Sequence, residues 1–169
     1  PSDIGCFFMQ REMKRTHGTA CTQIQLRVEG FSGAASGGTI ASMLNMLEES
    51  EADPNVRRAM ADPYSLNPKG NRTGPDRPEP LAPRYDPDFA QWVAPFVMAG
   101  INTKVVRRSN ALLGYAYGKN FRYDEAMLMG SGPGGFAKAL VTSAGSMAAM
   151  GSMAWGPLRR VAAGRLPQP

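Results

Sequence analysis

The residues best suited to chemistry lie in a glycine-rich segment between a predicted strand and a predicted helix. Residues 30–39 read GFSGAASGGT, with four glycines in ten residues. Glycine allows sharp backbone turns and close approach to a ligand, and the free N–H groups at a helix start attract anions. The segment therefore predicts a site for a phosphate, carboxylate or carbonyl oxygen. The structural alternative is a tight connection in which Ser36 or Thr39 caps the helix.

A second set of candidate residues lies in NTKVVRRSNAL, residues 102–112. Arg107 and Arg108 could each form paired hydrogen bonds with a carboxylate or phosphate. The alternative for these arginines is a solvated helix face.

Other chemistry has few residues to draw on. His17 is the only histidine, and Cys6 and Cys21 are the only cysteines. We expect no metal site, because a zinc site needs about four ligands. Reduced, buried thiols are typical of a reducing compartment.

The sequence GPGGFA, residues 132–137, matches the G-x-G-x-x-A pattern of dinucleotide-binding turns. That pattern requires a second parallel strand ending near an acidic residue about 20 residues further on. No acidic residue follows Glu125. We interpret residues 130–135 as a flexible turn before a helix that begins near Phe136, and we predict no nucleotide-binding half in this chain.

Length and charge restrict the functional classes. The chain has 169 residues, which suits one domain or one lobe of a larger protein. Its net charge is +5, with no run of basic residues longer than two, so nucleic-acid binding is not expected. The chain opens directly in a predicted helix, without an initiator methionine or signal peptide. We interpret it as a piece of a longer intracellular protein.

Hydrophobic spacing predicts an α+β fold with a mixed sheet and flanking helices. Helices are predicted over residues 3–16 (capped by Ser2, ended by Gly18), from the glycine segment to about 50, from Asp53-Pro54 to Asp62-Pro63, and from Asn102 or Thr103 to about 113. Strands are predicted over 22–28 and 121–129, and residues 89–98 form a strand or a short buried helix. The inner face of the helix near 102–113 is predicted to hold Val105, Val106, Ser109, Leu112 and Leu113.

Two segments have unusual composition. Residues 67–87 hold six prolines and predict a long exposed loop or lid. Residues 139–158 carry no charge. Small residues dominate this segment, so a buried or dimerising helix is favoured over a membrane span, and a helix in the membrane interface, helped by Trp155, Arg159 and Arg160, stays open.

Several motifs occur together in a fixed order: PSDIG at 1–5, SGGTIAS at 36–42, ADPYSL at 61–66, NTKVVRRSNAL at 102–112 and GYAYGKNFRY at 114–123. The combination resembles the saccharopine dehydrogenase-like oxidoreductases. Within that family it is most similar to the trans-acting enoyl reductases of lipid biosynthesis. The resemblance covers most of the chain and weakens after about Gly151.

The resemblance implies a two-part enzyme, in which a Rossmann domain binds a nicotinamide cofactor and a second part closes over the cofactor cleft. Residues 1–18 would be a helix from the end of the Rossmann domain. Residues 19–138 would be an α+β substrate-side domain, and residues 139–169 a truncated, apolar helical segment. The Rossmann domain itself would be missing, so NAD(P) is expected in the full-length parent and not in this chain alone.

The resemblance also gives roles to the candidate residues. Ser36, Gly37, Gly38 and Thr39 would face the cleft and hold a substrate oxygen or the nicotinamide side. Asn102, Arg107 and Arg108 would be further cleft residues. Ser2 and Asp3 would contact the cofactor where the lobes join; their structural alternative is helix capping. If a proton donor is needed, the candidates are Tyr115, Tyr117, Tyr123 and Lys104, which the sequence does not rank.

The favoured function is part of an NAD(P)-dependent oxidoreductase that reduces a lipid-linked or other acyl substrate by hydride transfer. The alternative is a non-catalytic scaffold of the same family on a membrane or lipid droplet. Saccharopine dehydrogenase activity is a third option. A homodimer stays open as well.

Overall fold

A computed structural model describes residues 1–30 and 37–154, without the side chains of 37–41, 43–44 and 152–154. Five helices and four strands occur in this part of the chain: α1 (Ser2–His17), β1 (Gln23–Val28), α2 (Gly37–Ala52), α3 (Pro54–Ala61), β2 (Arg84–Asp86), β3 (Gln91–Pro95), α4 (Ala99–Leu112), β4 (Arg122–Gly130) and α5 (Gly132–Ala154). The predicted α+β class is confirmed.

The four strands form one mixed sheet in the order β1-β4-β3-β2. β1 and β4 are parallel, with Gln23 opposite Arg122 and Val28 opposite Met127. The pairs β4–β3 and β3–β2 are antiparallel. The predicted strands at residues 22–28 and 121–129 are confirmed to within one residue at each end. Residues 89–98, where two interpretations were open, contain the strand β3.

The core lies between the sheet and the helices α1 and α4. Its buried members are Cys6, Val106, Tyr117, Phe121 and Tyr123, and the partly buried Ile24 and Leu26 of β1 pack against them. Alternation along β1 and β4 places Ile24, Leu26 and Tyr123 on one face of the sheet. β4 thus lies between two strands, β1 and β3, and α4 packs against it.

The ends of α1 are partly as predicted. Gly18 ends the helix in a left-handed conformation (φ 70°), and its N–H donates to the Lys14 carbonyl. Ser2 is wrong as a cap, because it is the first helical residue and is buried, and no side-chain cap is formed. Pro1 takes the cap position instead.

α3 begins and ends where its sequence predicts. The Asp53 side chain accepts a hydrogen bond from the Asn55 N–H at 2.7 Å, and Pro54 occupies the first helical position. At the other end, the Lys104 ammonium donates to the carbonyls of Ala59 and Met60. A cation at the helix carboxyl end complements the helix dipole.

α4 differs from its prediction in start and orientation. It begins at Ala99, so Asn102 and Thr103 lie inside the helix, and the Thr103 hydroxyl donates back to the Ala99 carbonyl. The predicted inner face holds for Val106 only. Val105, Leu112 and Leu113 are exposed, Ser109 is half-buried, and the buried positions are Ala99, Thr103, Val106, Arg107, Asn110 and Ala111.

α5 begins four residues earlier than predicted, at Gly132. Pro133 fits the first helical turn, where its missing N–H leaves no bond unmade. Within the described residues, no helix is long and apolar enough to cross a membrane. Trp155, Arg159 and Arg160, on which the interface-helix option depends, lie outside the described residues.

The polar face of the sheet carries a buried ion network. Arg27 of β1 donates from Nε to Asp86 of β2 at 2.7 Å and pairs with Asp124 of β4 at 3.0 Å. Arg84 also pairs with Asp124. Ala126 lies opposite Arg27 and carries only a methyl group, which leaves room for the long side chain to cross the sheet.

Gly135 is the position where α5 comes closest to β4. A Cβ atom there would lie 2.0 Å from the Gly130 carbonyl oxygen, a backbone atom, whereas a Cβ at Gly134 would meet nothing within 4 Å. We expect Gly135→Ala to lower the free energy of unfolding by about 2 kcal/mol or more. Gly134→Ala should raise it by about 0.5 kcal/mol, since alanine favours helix. Urea unfolding of both variants checks this, and equal values for the two would contradict the close contact.

Asp86 should make the free energy of unfolding depend on pH in the acid range. Burial alone would raise the pKa of Asp86, but the hydrogen bond and charge of Arg27 outweigh it and hold this pKa below 3.8. The ion pair therefore stabilises the fold above about pH 3.8, and this contribution is lost as the pH falls through the lowered pKa. Asp86→Asn should cost about 3 kcal/mol at pH 7 and progressively less below pH 4.

Urea unfolding of Asp86→Asn and the parent from pH 7 to pH 2 measures this difference. Asp88→Asn is the control, because Asp88 is exposed and should stay within about 0.5 kcal/mol of the parent throughout. A cost for Asp86→Asn that is constant over the whole range would show that the charge of Asp86 does not matter.

Candidate functional site

Two glycine-containing connections leave the sheet at the same edge. Gly30 follows β1, and residues 130–135 join β4 to α5. Because β1 and β4 are parallel neighbours, their carboxyl ends lie side by side. The helices that follow, α2 and α5, contact each other. Ligands of open α/β sheets bind outside the carboxyl ends of parallel strands, so this edge is the candidate functional site.

The β4–α5 connection is closely packed, in contrast to the flexible turn that the sequence predicts. Gly130 and Gly132 have φ values of 95° and 63°, which favour glycine. The Gly135 N–H donates to the Ser131 carbonyl at 3.2 Å. The absence of a Cβ at Gly135 lets the first turn of α5 lie directly against the end of β4. The connection therefore holds the start of α5 at a fixed position.

An open groove of about 430 Å³ runs beside this connection. It is lined by Met129, Ala137, Lys138, Val141 and Thr142. The Thr142 hydroxyl donates to the Met129 sulfur at 3.6 Å. The groove thus combines an apolar floor with one ammonium group, which suits a ligand with an apolar chain and a polar or anionic head.

Aromatic side chains border the same edge. Trp92 of β3 lies opposite Gly130. Its ring centroid is 4.7 Å from that of Phe136 and 5.6 Å from that of Tyr85. Tyr85 and Phe136 are both exposed, so this row is open to a ligand or partner at the sheet edge.

The predicted glycine-segment residues fall partly outside the described structure. Ser36 lies outside the described residues, so its role as a cap stays a prediction. Gly37, Gly38 and Thr39 form the first turn of α2. Thr39 is therefore wrong as a cap, since it lies inside the helix. The start of α2 places the backbone N–H groups of Gly37 and Gly38 among those without helical partners.

Asn102 and Ser2 belong to a buried polar network. The Asn102 amide donates to Glu125 Oε2 at 2.9 Å, and the Tyr123 hydroxyl donates to Glu125 Oε1 at 2.8 Å. Ser2, at the start of α1, is also within hydrogen-bonding reach of the Tyr123 side chain. Burial and the contact with Glu125 raise the pKa of Tyr123. Tyr123 is therefore a poor acid at neutral pH.

Asp3 joins α1 to α4. Its Oδ2 accepts a hydrogen bond from the Ser109 hydroxyl at 2.9 Å, and its Oδ1 is buried without a partner. Burial also raises the pKa of the neighbouring Tyr117 to about 12. Among the predicted proton donors, Tyr117 and Tyr123 are thus both buried core residues with weakened acidity.

Arg107 is the centre of a second buried network. Its guanidinium pairs with Asp76 at 2.7 Å and Glu79 at 3.1 Å, and donates to the Tyr123 carbonyl at 3.2 Å. The guanidinium carbon of Arg107 lies 5.6 Å from the ring centroid of Tyr64. Arg107 is only 5% exposed, so the solvated-face alternative does not apply to it. Instead it fixes part of the segment 67–87 to α4 and β4.

Arg108 and Glu79 show two contrasting environments in the same region. Arg108 is exposed and donates to the Leu66 carbonyl. Burial raises the pKa of Glu79 although Arg107 opposes the shift. Desolvation of this carboxyl therefore exceeds the attraction of the arginine.

The predicted residues fall into two groups that the fold keeps apart. Asn102 bonds Glu125, which precedes Gly130 by five residues, a separation of about 17 Å along a strand. Arg107 bonds Tyr123, which lies two residues further away. The β4–α5 connection and the Asn102–Arg107 group therefore lie apart, and residues 31–36 of the glycine segment lie outside the described residues.

The groove residues were missed at the sequence level. Lys138, Val141 and Thr142 lie on α5, whose sequence predicts a helix but no groove, and the position of Met129 at the end of β4 completes the groove. The partners of Arg107 were missed because Asp76 and Glu79 lie 31 and 28 residues away in the chain. Among the described residues, no group of acidic, histidine or cysteine side chains could hold a metal ion.

The chain is similar in sequence to several mycobacterial proteins. The chain is 42% identical over 137 residues to a Mycobacterium tuberculosis protein named "Putative trans-acting enoyl reductase", covering 78% of the chain and 33% of the relative. It is 34% identical over 151 residues to the trans-acting enoyl reductase of Mycobacterium leprae, covering 85% of the chain and 36% of the relative. A Mycobacterium ulcerans protein of the same name is 34% identical over 137 residues, covering 77% of the chain and 33% of the relative.

These relatives support the enoyl-reductase-like branch of the resemblance. The chain spans about a third of the length of the curated relatives it matches. No family model matches the chain, and no solved structure matches it.

Arg107→Met should release the segment 67–87 from α4. Removing the guanidinium leaves Asp76 and Glu79 buried without their cation, so we expect the free energy of unfolding to fall by about 3 kcal/mol or more. Cleavage by trypsin after Lys69 or Arg72 should accelerate at the same time. The exposed Arg108→Met is the matched control, with a loss below about 1 kcal/mol. Similar losses for both variants would contradict the structural role of Arg107.

Proposed function

We propose that this chain is the substrate-side part of an NAD(P)-dependent enoyl reductase of the saccharopine dehydrogenase-like type, within a longer polypeptide. The observation that carries the proposal is the 42% identity to an enoyl reductase-named protein over 78% of the chain. The fold agrees with it, since an apolar groove opens beside the carboxyl edge of two parallel strands.

The described residues do not fit a complete NAD(P) site. The connection at 130–135 has the glycines of a dinucleotide turn, but no acidic residue follows Glu125 to bind a ribose. In a polypeptide as long as the relatives, the cofactor would therefore be held by the two thirds that this chain does not cover.

The role of this chain is to bind and orient the acyl group. An enoyl thioester carries a carbon–carbon double bond conjugated to a carbonyl, and its reduction places negative charge on the carbonyl oxygen. The N–H groups at the start of α2, at Gly37 and Gly38, are suited to hold that oxygen. The apolar groove would take the acyl chain, and Lys138 would attract an anionic group on the carrier.

The membrane- or lipid-droplet-bound scaffold remains the second candidate because of one observation on α5. Among the described side chains of this helix, five large apolar ones are exposed: Phe136, Leu140, Val141, Met147 and Met150. No charged residue occurs between Lys138 and the end of the helix. Such a face suits a lipid surface as well as an acyl ligand.

Two neighbouring substitutions separate the candidates. Val141 lines the groove and Leu140 does not, while both side chains are well exposed, at 72% and 48%. In a polypeptide as long as the relatives, Val141→Glu should raise KM for an enoyl thioester by about tenfold or more, with kcat little changed. Leu140→Glu should stay within about twofold of the parent, because it does not line the groove. Oxidation of NADPH, followed by absorbance, measures both.

The contrary outcome is equally clear. If neither the parent nor the variants oxidise NADPH, and both substitutions weaken binding to liposomes equally, the reductase proposal fails and the scaffold is favoured. If Leu140→Glu raises KM as much as Val141→Glu, the acyl group does not bind in the groove.

A further inference from the structure

The two edges of the sheet differ in how well they are protected against pairing with another strand. β2, at one edge, is three residues long and lies between Pro83 and Pro87. Short strands and prolines are usual means by which proteins keep an edge strand from pairing with another chain. β1, at the other edge, has six residues, contains no proline or glycine, and pairs with β4 in an uninterrupted register. β1 therefore lacks the protection that β2 has.

The backbone of β1 presents a row of polar groups to the outside of the sheet. The Arg122 N–H donates to the Thr22 carbonyl at 3.0 Å, so the backbone of Thr22 faces β4. Since the N–H and C=O groups of successive strand residues point to opposite sides, those of Gln23, Gln25 and Arg27 face away from β4. Among the strands that the structure describes, β4 alone pairs with β1. We call this outward row of backbone groups the free edge of β1.

The side chains of β1 leave this edge accessible. Arg27, the charged residue of the strand, lies over the sheet toward Asp86, and its side chain is only 2% exposed. Ile24, Leu26 and Val28, on the opposite face, are half-buried. A charge that projects from an edge strand repels a neighbouring strand, and β1 carries none in that position.

A second β1, running antiparallel, fits the free edge in a self-complementary register. With Gln25 opposite its counterpart, Gln23 lies opposite Arg27, and about six backbone hydrogen bonds form. The same register places Ile24 opposite Leu26 of the second copy, so the apolar faces continue from one sheet into the other. The other registers that match the faces pair fewer residues of the strand, or place Arg27 opposite itself, where like charges repel.

We propose that two copies of this chain pair through the free edge of β1, antiparallel, with the two-fold axis at Gln25. The pairing joins two four-stranded sheets into one, and the interface is isologous, as in most dimers. Strand pairing buries less than the roughly 800 Å² on each side of a stable dimer, so the dissociation constant lies in the micromolar range. The proposal does not depend on the reaction proposed above.

The arrangement has a consequence for the candidate sites. Because the two β1 strands run in opposite directions, their carboxyl ends lie at opposite edges of the joined sheet. Each groove at the start of α5 therefore stays separate from that of the other copy, and no residue of one copy completes the groove of the other.

Charge substitutions at Gln25 test the pairing and its axis together. Gln25→Lys and Gln25→Glu each place like charges opposite one another across the axis, so each variant alone should self-associate about three- to tenfold more weakly than the parent. An equimolar mixture places lysine opposite glutamate and should associate about as well as the parent. Analytical ultracentrifugation from about 1 to 500 µM measures the dissociation constants, since the expected value lies within this range. Circular dichroism checks that the variants are folded.

Two results of this experiment overturn the proposal. One is a parent chain that stays monomeric over the whole concentration range. The other is a mixture that associates no more tightly than either variant alone, because the two copies of residue 25 would then not lie opposite one another.

Disulfide cross-linking tests the register without relying on affinity. Gln25→Cys is made together with Cys21→Ser, and the remaining Cys6 is buried. Cα atoms of a hydrogen-bonded antiparallel pair lie about 5.5 Å apart, which suits a disulfide, so air oxidation catalysed by copper–phenanthroline should link two copies. Gln23→Cys in the same background is the matched control. Residue 23 is the more exposed of the two, but its two copies would lie about 14 Å apart and should not be linked.

The outcome of cross-linking decides between a second copy and another occupant of the edge. Equal cross-linking of Gln25→Cys and Gln23→Cys overturns the proposed pairing. The Gln25→Cys cross-link is also sought in the Mycobacterium tuberculosis relative in which this chain takes the place of the matched segment, where we expect it to form as well. If the folded long protein does not cross-link, another segment of the polypeptide covers the free edge of β1, and the proposal is overturned.

Discussion

The parallel pairing of β1 with β4 is the constraint on which the candidate site depends. The register from Gln23–Arg122 to Val28–Met127 brings the end of one strand beside the end of the other, although about 100 residues separate them in the chain. Both glycine-containing connections then leave from one edge, and both lead into helices. A shift of this register by one residue would turn the core side chains of β1 to the other face.

The other buried interactions act by holding β4 in that position. Arg107 bonds the backbone of Tyr123, the Asn102 side chain bonds Glu125, and the ion network of Arg27 crosses the sheet. Buried ion pairs add little net stability, because desolvation offsets their attraction, but breaking one is costly. Their effect here is to specify one arrangement. The segment 102–112 thus acts, through Asn102 and Arg107, as part of the scaffold beneath the site.

The sequence alone predicts those helix and strand ends that are set by residues close by in the chain. Gly18 ends α1, Asp53 and Pro54 start α3, and the alternating residues of β1 predict its strand, because each of these choices is made within a few residues of the chain. The mixed α+β class follows from the same patterns.

Features set by distant residues could not be predicted in this way. Arg107 is buried because Asp76 and Glu79 reach it from the proline-rich segment, and hydrophobic spacing cannot show such a partner. The rotation of α4 could not be predicted for the same reason, because its polar residues are buried by partners distant in the chain. Its buried face includes Thr103 and Asn110 in place of Leu112. The groove between Met129 and Val141 depends on how α5 packs back against the end of β4, which hydrophobic spacing does not show.

The proposed function requires the acyl group to bind at the carboxyl ends of β1 and β4. Photo-crosslinking tests this requirement in a polypeptide as long as the relatives. The probe is an enoyl thioester that carries a diazirine on its acyl chain, and mass spectrometry maps the attachment sites. The account predicts attachment within residues 129–142, reduced by an excess of unlabelled thioester. Attachment confined to residues 102–108, around Asn102 and Arg107, would contradict it.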